Sequence, residues 1–199
     1  LQGDWSSDVC SSDLGPAEKL GLTEYTQPAI LTASVALFRA FTEANAFQPV
    51  ASAGHSLGEY SALVSAGTLS LADGARLVRQ RGAAMQDAVP VGVGAMAVVM
   101  GLDDDVVTDT CNSVSMADSF VGGVNFNAPG QVVIAGHSAA VDSAVAALKD
   151  AGARRAMPLP VSAPFHTPLM QPAAEVMQQA FEDVSWSAPQ FPRSEEHTS

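Results

Sequence analysis

The chain has 199 residues, enough for one domain or for one domain with a small subdomain, and enough to bury a substantial core. Its formal charge of −12, from 21 acidic residues against 9 Lys and Arg, argues against a nucleic-acid-binding surface, because neutralising phosphates takes clustered cations. With 47% apolar residues, disorder over most of the length is excluded. Cys10 and Cys111 allow one bridge at most and no metal-ligand cluster. There is no run of about 18 apolar residues and no basic-then-apolar leader, so the expectation is a soluble, cytoplasmic protein with no membrane or nucleic-acid partner and no metal.

Residues 1–14 (LQGDWSSDVCSSDL) show neither helical nor strand period, and residues 193–199 (RSEEHTS) are equally featureless. Both ends read as foreign or disordered tails and resemble translated adaptor sequence, which leaves 15–192 for fold reasoning.

The first predicted helix opens at Thr26-Gln27-Pro28, with Pro28 at the first helical position, and ends near Asn45. Ile30, Leu31, Ser34, Leu37, Phe38 and Phe41 recur at three- and four-residue spacing and predict its buried face. A short strand over Pro49 to Ala53 and a helix over Glu59 to Ala66 flank Gly54-His55-Ser56-Leu57-Gly58, a G-x-S-x-G pattern in strand-turn-helix context. That pattern makes Ser56 a candidate nucleophile on a sharp turn. Gly54 and Gly58 let strand and helix approach each other, and the Leu57 N–H at the helix start is aimed where an oxyanion would form.

Gly67 stops that helix, and Ser70-x-x-Asp73 predicts a capping-box variant opening the next one, Leu71 to about Ala88, closed by Pro90. Leu71, Ala75, Val78, Gly82 and Met85 form its apolar stripe, with Arg81 along the stripe's edge. A guanidinium pushed toward a core wants a carboxylate partner. Arg81 then either snorkels to solvent or pairs with an internal acid, or its partner is a substrate carboxylate.

From Gly94 the pattern becomes β-α-β-β-α-β up to Pro160. Strands are predicted at Ala95 to Met100, Phe120 to Phe126, Gln131 to Ala135 and Arg154 to Leu159, with a turn at Asn127 to Gly130. Helices start after Asp103 and at Ser138, the latter as a cap. This order is that of a ferredoxin-like unit, read as an insert at 94–160 in a larger α/β body of 15–93 and 161–192. A proline-bounded loop over Val161 to Met170 and a helix over Pro172 to Glu182 follow, and no further strand is predicted.

Several patterns are decoys. Gly92-Val-Gly94-Ala-Met-Ala97 matches G-x-G-x-x-A but precedes a strand, so the phosphate-binding geometry is missing. Gly136-His137-Ser138 lacks the second glycine of an elbow, and Asp103 to Asp105 read as a solvated helix start. Of the histidines within 15–192, His55 adjoins the serine and points away from it, while His166 can present its ring from another element. His166 is therefore the candidate general base.

Five separated stretches carry a resemblance: TQPAILTASVAL from Thr26, AGHSLGEYSALVSAG from Ala53, Gln80-Arg81-Gly82 with MQDAVPVGVGAM from Met85, VNFNAPGQVVIAG from Val124, and LPVSAPFHTPLM from Leu159. Over 15–192 the chain resembles the malonyl-CoA:acyl carrier protein transacylases and the acyltransferase domains of polyketide synthases. The resemblance implies a hydrolase-like parallel-sheet α/β body with a ferredoxin-like βαββαβ insert. It implies that Ser56 is acylated by malonyl-CoA, that His166 is the base and that Arg81 binds the malonyl carboxylate. It also implies that the Leu57 N–H forms part of an oxyanion hole, with His55, Asn125 and Asn127 lining the cleft. Malonyl-CoA is then the substrate, acyl carrier protein the partner, fatty acid synthesis the setting and a monomer without bound cofactor the working form.

The family's first strand and glutamine-containing loop have no match before Gly15, and its later strands have none past Pro192, so impaired turnover of this chain is expected. The alternatives are a polyketide acyltransferase domain, a serine esterase or thioesterase, and an inactive fragment that still binds the carrier.

Overall fold

The structure, a computed structural model, describes residues 17–161 and 163–195. They form two compact units. The first comprises the described residues up to 83 and from 176, and the second the described residues from 84 to 175. The sequence places these boundaries at 93/94 and 160/161, whereas the units divide within helices, because the last turn of one helix and the first of another join a small core of Met85, Val89, Met170 and Ala173.

In the first unit, α1 (Ala17–Leu20) leads into α2 (Thr23–Asn45), β1 (Ser52–Gly54), α3 (Gly58–Ser65) and most of α4 (Leu71–Asp87). Ser70 accepts the Asp73 N–H at 3.0 Å and donates its hydroxyl to the Asp73 carboxylate at 2.7 Å, so the predicted cap forms, with the acid meeting the hydroxyl instead of a backbone N–H. Leu31, Val35, Tyr60, Val64, Leu77, Val78 and Met177 are the centre of its core.

Two expectations for α2 are corrected. It starts at Thr23, which places Pro28 inside the helix and not at its first position. Its buried face is Gln27, Leu31 and Val35, while Ile30, Leu37 and Phe41 are 49%, 72% and 54% exposed. The helix carries apolar residues on two faces, and spacing alone does not say which one a core will cover. On the outer face Phe38 meets Phe191 and Phe41 meets Phe47, beside an open groove of about 420 Å³.

The first unit also holds a strand outside the sequence prediction. β6 (Arg193–Glu195) pairs in parallel with β1, Ser52 opposite Arg193 and Gly54 opposite Glu195. These residues fall in the stretch read as a featureless tail. Their pairing is made by backbone groups, which side-chain alternation does not report.

The second unit is built on β2 (Gly94–Met100), α5 (Asp104–Val114), β3 (Val121–Ala128), β4 (Gln131–His137), α6 (Ser138–Asp150) and β5 (Arg155–Pro158), the predicted order of elements. The strands form an antiparallel sheet in the order β3-β4-β2-β5. Alternation along the strands makes two cores. Ala97, Val99, Val132 and Ile134 pack with α5 and α6, and Met96, Val133 and Ala135 pack with Leu159 and Phe165. The hairpin turn is tighter than expected: Asn127 and Ala128 belong to β3, leaving Pro129 and Gly130, with Gly130 at φ 71°.

Ser138 is the first residue of α6 and not its cap, since its hydroxyl donates to the Gly92 carbonyl at 2.7 Å. His137 Nδ1 accepts the Phe120 N–H at 2.9 Å, a structural use of that histidine. A 3-10 turn (Pro168–Met170) precedes α7 (Gln171–Glu182), whose later residues return to the first unit. Among the described residues, β1 and β6 are the sole parallel pair, and no helix is long and apolar enough to cross a membrane.

Candidate active site

Between β1 and α3 the backbone reverses through a turn closed by Gly58 N–H to His55 O at 2.8 Å and Glu59 N–H to Ser56 O at 3.3 Å. Ser56 stands at its apex with φ 53°, a left-handed conformation that costs a non-glycine residue about 1 kcal/mol or more and is held by the surrounding turn. A Cβ on Gly54 would lie 2.1 Å from the Gly58 carbonyl carbon, whereas one on Gly58 would meet nothing within 4 Å. Strand and helix therefore approach through Gly54 alone, which corrects the expectation that both glycines are needed. The Leu57 N–H stays outside the turn's hydrogen bonds and has no backbone acceptor among the described residues. His55 is exposed on the same turn.

Arg81 reaches this turn from α4. Its Nη2 donates to Ser56 Oγ at 3.1 Å and its Nη1 to Gln27 Oε1 at 2.7 Å, and the guanidinium carbon stands 5.8 Å from the Tyr60 ring centroid. All three partners are neutral. The ion pair found among the described residues, Arg76 with Asp73 at 2.7 Å, lies elsewhere on α4. Burial lowers the Arg81 pKa, against smaller upward effects of Tyr60 and Glu59, and burial likewise raises that of the Tyr60 phenol. A half-buried guanidinium remains charged at neutral pH. It is oriented here without being neutralised, so an anionic group brought beside Ser56 would find a cation still to be paired.

His166 lies in the second unit, at φ 62°. Its neighbours hold it firmly. Ala163 is 1% exposed, Thr167 is 7% exposed, and Thr167 Oγ1 donates to the Pro164 carbonyl at 2.7 Å. The Pro164 ring sits so close to Gly94 that a Cβ there would come within 2.2 Å of it. Phe165 packs against the sheet core and against Met170 and Ala173. The histidine's backbone is thus pinned on both sides while its ring stays half-exposed.

Asn125 is 7% exposed on β3 opposite Val133, and Asn127 is the extra, exposed residue of a bulge between Phe126 and Ala128. The structure thus brings Ser56, Leu57, His55 and Arg81 together in the first unit and places His166, Asn125 and Asn127 in the second. Sequence reasoning missed Gln27 and Tyr60. Each stands one or two helical turns from residues that were singled out, and spacing of i and i+4 to Leu31 was the available sign for Gln27. Among the described residues no group of three or more His, Cys, Asp or Glu could hold a metal ion.

A family model described as "Acyl transferase domain" matches residues 7–199. The malonyl CoA-acyl carrier protein transacylase of Escherichia coli K12 is 53% identical over 178 residues, covering 89% of this chain and 57% of that protein. The solved structure of the malonyl-CoA:acyl carrier protein transacylase of Xanthomonas oryzae superposes with a TM-score of 0.87 at 54% identity, over 90% of this chain and 57% of that one. A malonyl-transacylase solved in complex with its type II polyketide synthase acyl-carrier protein superposes at 0.86 with 50% identity, over 90% of this chain and 58% of its own. The chain spans 57% of the length of the curated Escherichia coli relative. It belongs to the acyl transferase domain family.

Proposed function

We propose that the protein transfers a malonyl group from malonyl-CoA to the phosphopantetheine thiol of acyl carrier protein, through an acyl-enzyme on Ser56, in fatty acid synthesis. The observation that carries this reading is the Arg81 guanidinium, donating to Ser56 Oγ at 3.1 Å and held by neutral groups. The names of the relatives support it.

In the first half-reaction Ser56 Oγ attacks the thioester carbonyl while His166 takes the hydroxyl proton. The Leu57 N–H stabilises the oxyanion, the C–S bond breaks, and coenzyme A leaves with the proton from His166. The carrier thiol then gives its proton to His166 and attacks the seryl ester. The malonyl thioester forms as the ester C–O bond breaks, and His166 returns the proton to Ser56 Oγ, closing a ping-pong cycle. The malonyl carboxylate displaces Ser56 Oγ from Arg81 Nη2, so that recognising the acid and freeing the nucleophile are one exchange. Asn125 and Asn127 line the cleft beside His166. The four-stranded sheet with α5 and α6 is read as a ferredoxin-like insert, and β1, β6 and their helices as part of a hydrolase-like parallel-sheet body. The working form is a cytoplasmic monomer that needs no bound cofactor.

Intact-mass spectrometry after incubation with malonyl-CoA tests the reading. A malonyl adduct is expected on the parent chain and none on Ser56→Ala. An adduct that persists in Ser56→Ala, or a parent chain that gains none, would overturn it.

A further inference from the structure

We propose that Gln27 is a positioning residue for Arg81, and that by orienting the guanidinium without neutralising it Gln27 sets the site's preference for acyl groups bearing a free carboxylate. This rests on the reading of Arg81 as the carboxylate's partner.

Gln27 is 5% exposed at the N-terminal end of the buried face of α2, between Thr23 one turn before it and the apolar Leu31 and Val35 after it. Its amide has one orientation compatible with its neighbours. The guanidinium can only donate, so the oxygen must face Arg81 Nη1, at 2.7 Å, and the amide nitrogen then donates to Thr23 Oγ1, at 3.0 Å. The span between the two helices is fixed beside this contact, because a Cβ on Gly82, the residue after Arg81, would come within 2.5 Å of the Glu24 Cα and the Thr23 carbonyl oxygen. Thr23, Gln27, Arg81 and Ser56 therefore form a continuous chain of hydrogen bonds from the first residue of α2 to the nucleophile.

A carboxylate at position 27 would reach the same nitrogen. It would form an internal ion pair competing with any anionic acyl group, whereas an amide gives the same direction and leaves the positive charge for the ligand. An apolar residue of the same size would leave the guanidinium with one directional contact fewer. The two changes thus harm recognition of the acid for opposite reasons, and neither effect follows from a packing role alone.

The test compares the parent chain with Gln27→Met, Gln27→Glu, Thr23→Val and Arg81→Ala. Each is titrated with malonate and with acetate by NMR, its acylation by malonyl-CoA and by acetyl-CoA is followed by intact mass, and its thermal melt is recorded. The parent is expected to bind malonate in preference to acetate. Gln27→Met should weaken malonate binding about tenfold or more, the scale of a lost hydrogen bond to a charged group. Gln27→Glu should weaken it further and lower the malonyl-to-acetyl acylation ratio the most, and Thr23→Val, which leaves the amide unanchored, should shift both in the same direction by a smaller factor.

Unchanged malonate preference in Gln27→Met and Gln27→Glu overturns the proposal, as does an equal loss for both acids. If Gln27→Met melts early, Gln27→Glu and Thr23→Val decide it by the same ratio. A parent chain that binds malonate no better than acetate, or an Arg81→Ala variant that keeps the preference, overturns the carboxylate reading of Arg81 itself. Preference lost in Arg81→Ala but kept in the Gln27 variants overturns only the role of Gln27.

Discussion

Arg81 does two things at one position: it donates to the resting Ser56 hydroxyl at 3.1 Å and offers a charge that forms no ion pair among the described residues. Arg81→Ala should therefore lower the ratio of malonyl to acetyl acylation of Ser56 by about 10- to 100-fold, the worth of a charge-assisted contact of roughly 1.5 to 3 kcal/mol, as read from adduct formation with the two thioesters. At Gly54 the limit is space, since an added methyl would sit 2.1 Å from backbone atoms of Gly58. Gly54→Ala should cost about 3 kcal/mol or more and lower the melting temperature, while Gly58→Ala, facing open space, should cost under about 1 kcal/mol.

Cys111 is 1% exposed, and burial pushes its thiol up to about 11 from 9.0. The folded chain keeps the proton between those values where the unfolded chain loses it. That contribution to stability is complete below pH 9.0 and falls as pH rises toward 11. Alkylation at pH 8, located by peptide mapping, should spare Cys111 until the chain is unfolded. Ser56, Arg81 and His166 stood out in the sequence as candidates because each breaks its local pattern: a serine between glycines, a cation on an apolar edge, a histidine between prolines. Gln27 was not, because a glutamine in a helix reads as surface until its partner, 54 residues away, is known.

At the scale of elements, breakers and caps gave most helix and strand limits, and periodicity failed where two answers were equally periodic. Helix α2 is the case in point. Leu31 and Leu37 both belong to the expected stripe, yet one is fully buried and the other 72% exposed. Leu31→Ala should cost about 2 to 5 kcal/mol in denaturant unfolding, and Leu37→Ala less than about 0.5 kcal/mol. Equal costs would restore the face read from the spacing. β6 escaped notice for another reason: three residues pairing in parallel through backbone atoms leave no two-residue alternation to read. The bulges at Val124 and Asn127 were hidden in the same way, since an extra residue in one strand is visible only against its partner.

At the scale of the whole molecule, the order of strands and helices in the second unit followed from the sequence, but the unit boundaries did not. Breaks in pattern mark where elements end, whereas cores are made by side chains far apart in sequence, as Met85 and Met170 are. The clusters around Leu31 in the first unit and Ile134 in the second share no residue. Ile134→Ala should therefore raise amide hydrogen exchange across β2, β4 and α6 and leave α2 and α3 near the parent rates. A uniform rise over both units would instead show one cooperative unfolding unit.

The left-handed backbone at Ser56 bears on which side chains descendants of this protein can carry at that turn. Cysteine and threonine are each a single nucleotide from serine. Cysteine keeps an unbranched Cβ and tolerates φ near 53° about as well as serine does. Threonine would keep the hydroxyl, but its second branch crowds the backbone in that conformation. Mutation can thus carry this turn toward a thiol, while its backbone shape disfavours the step to threonine.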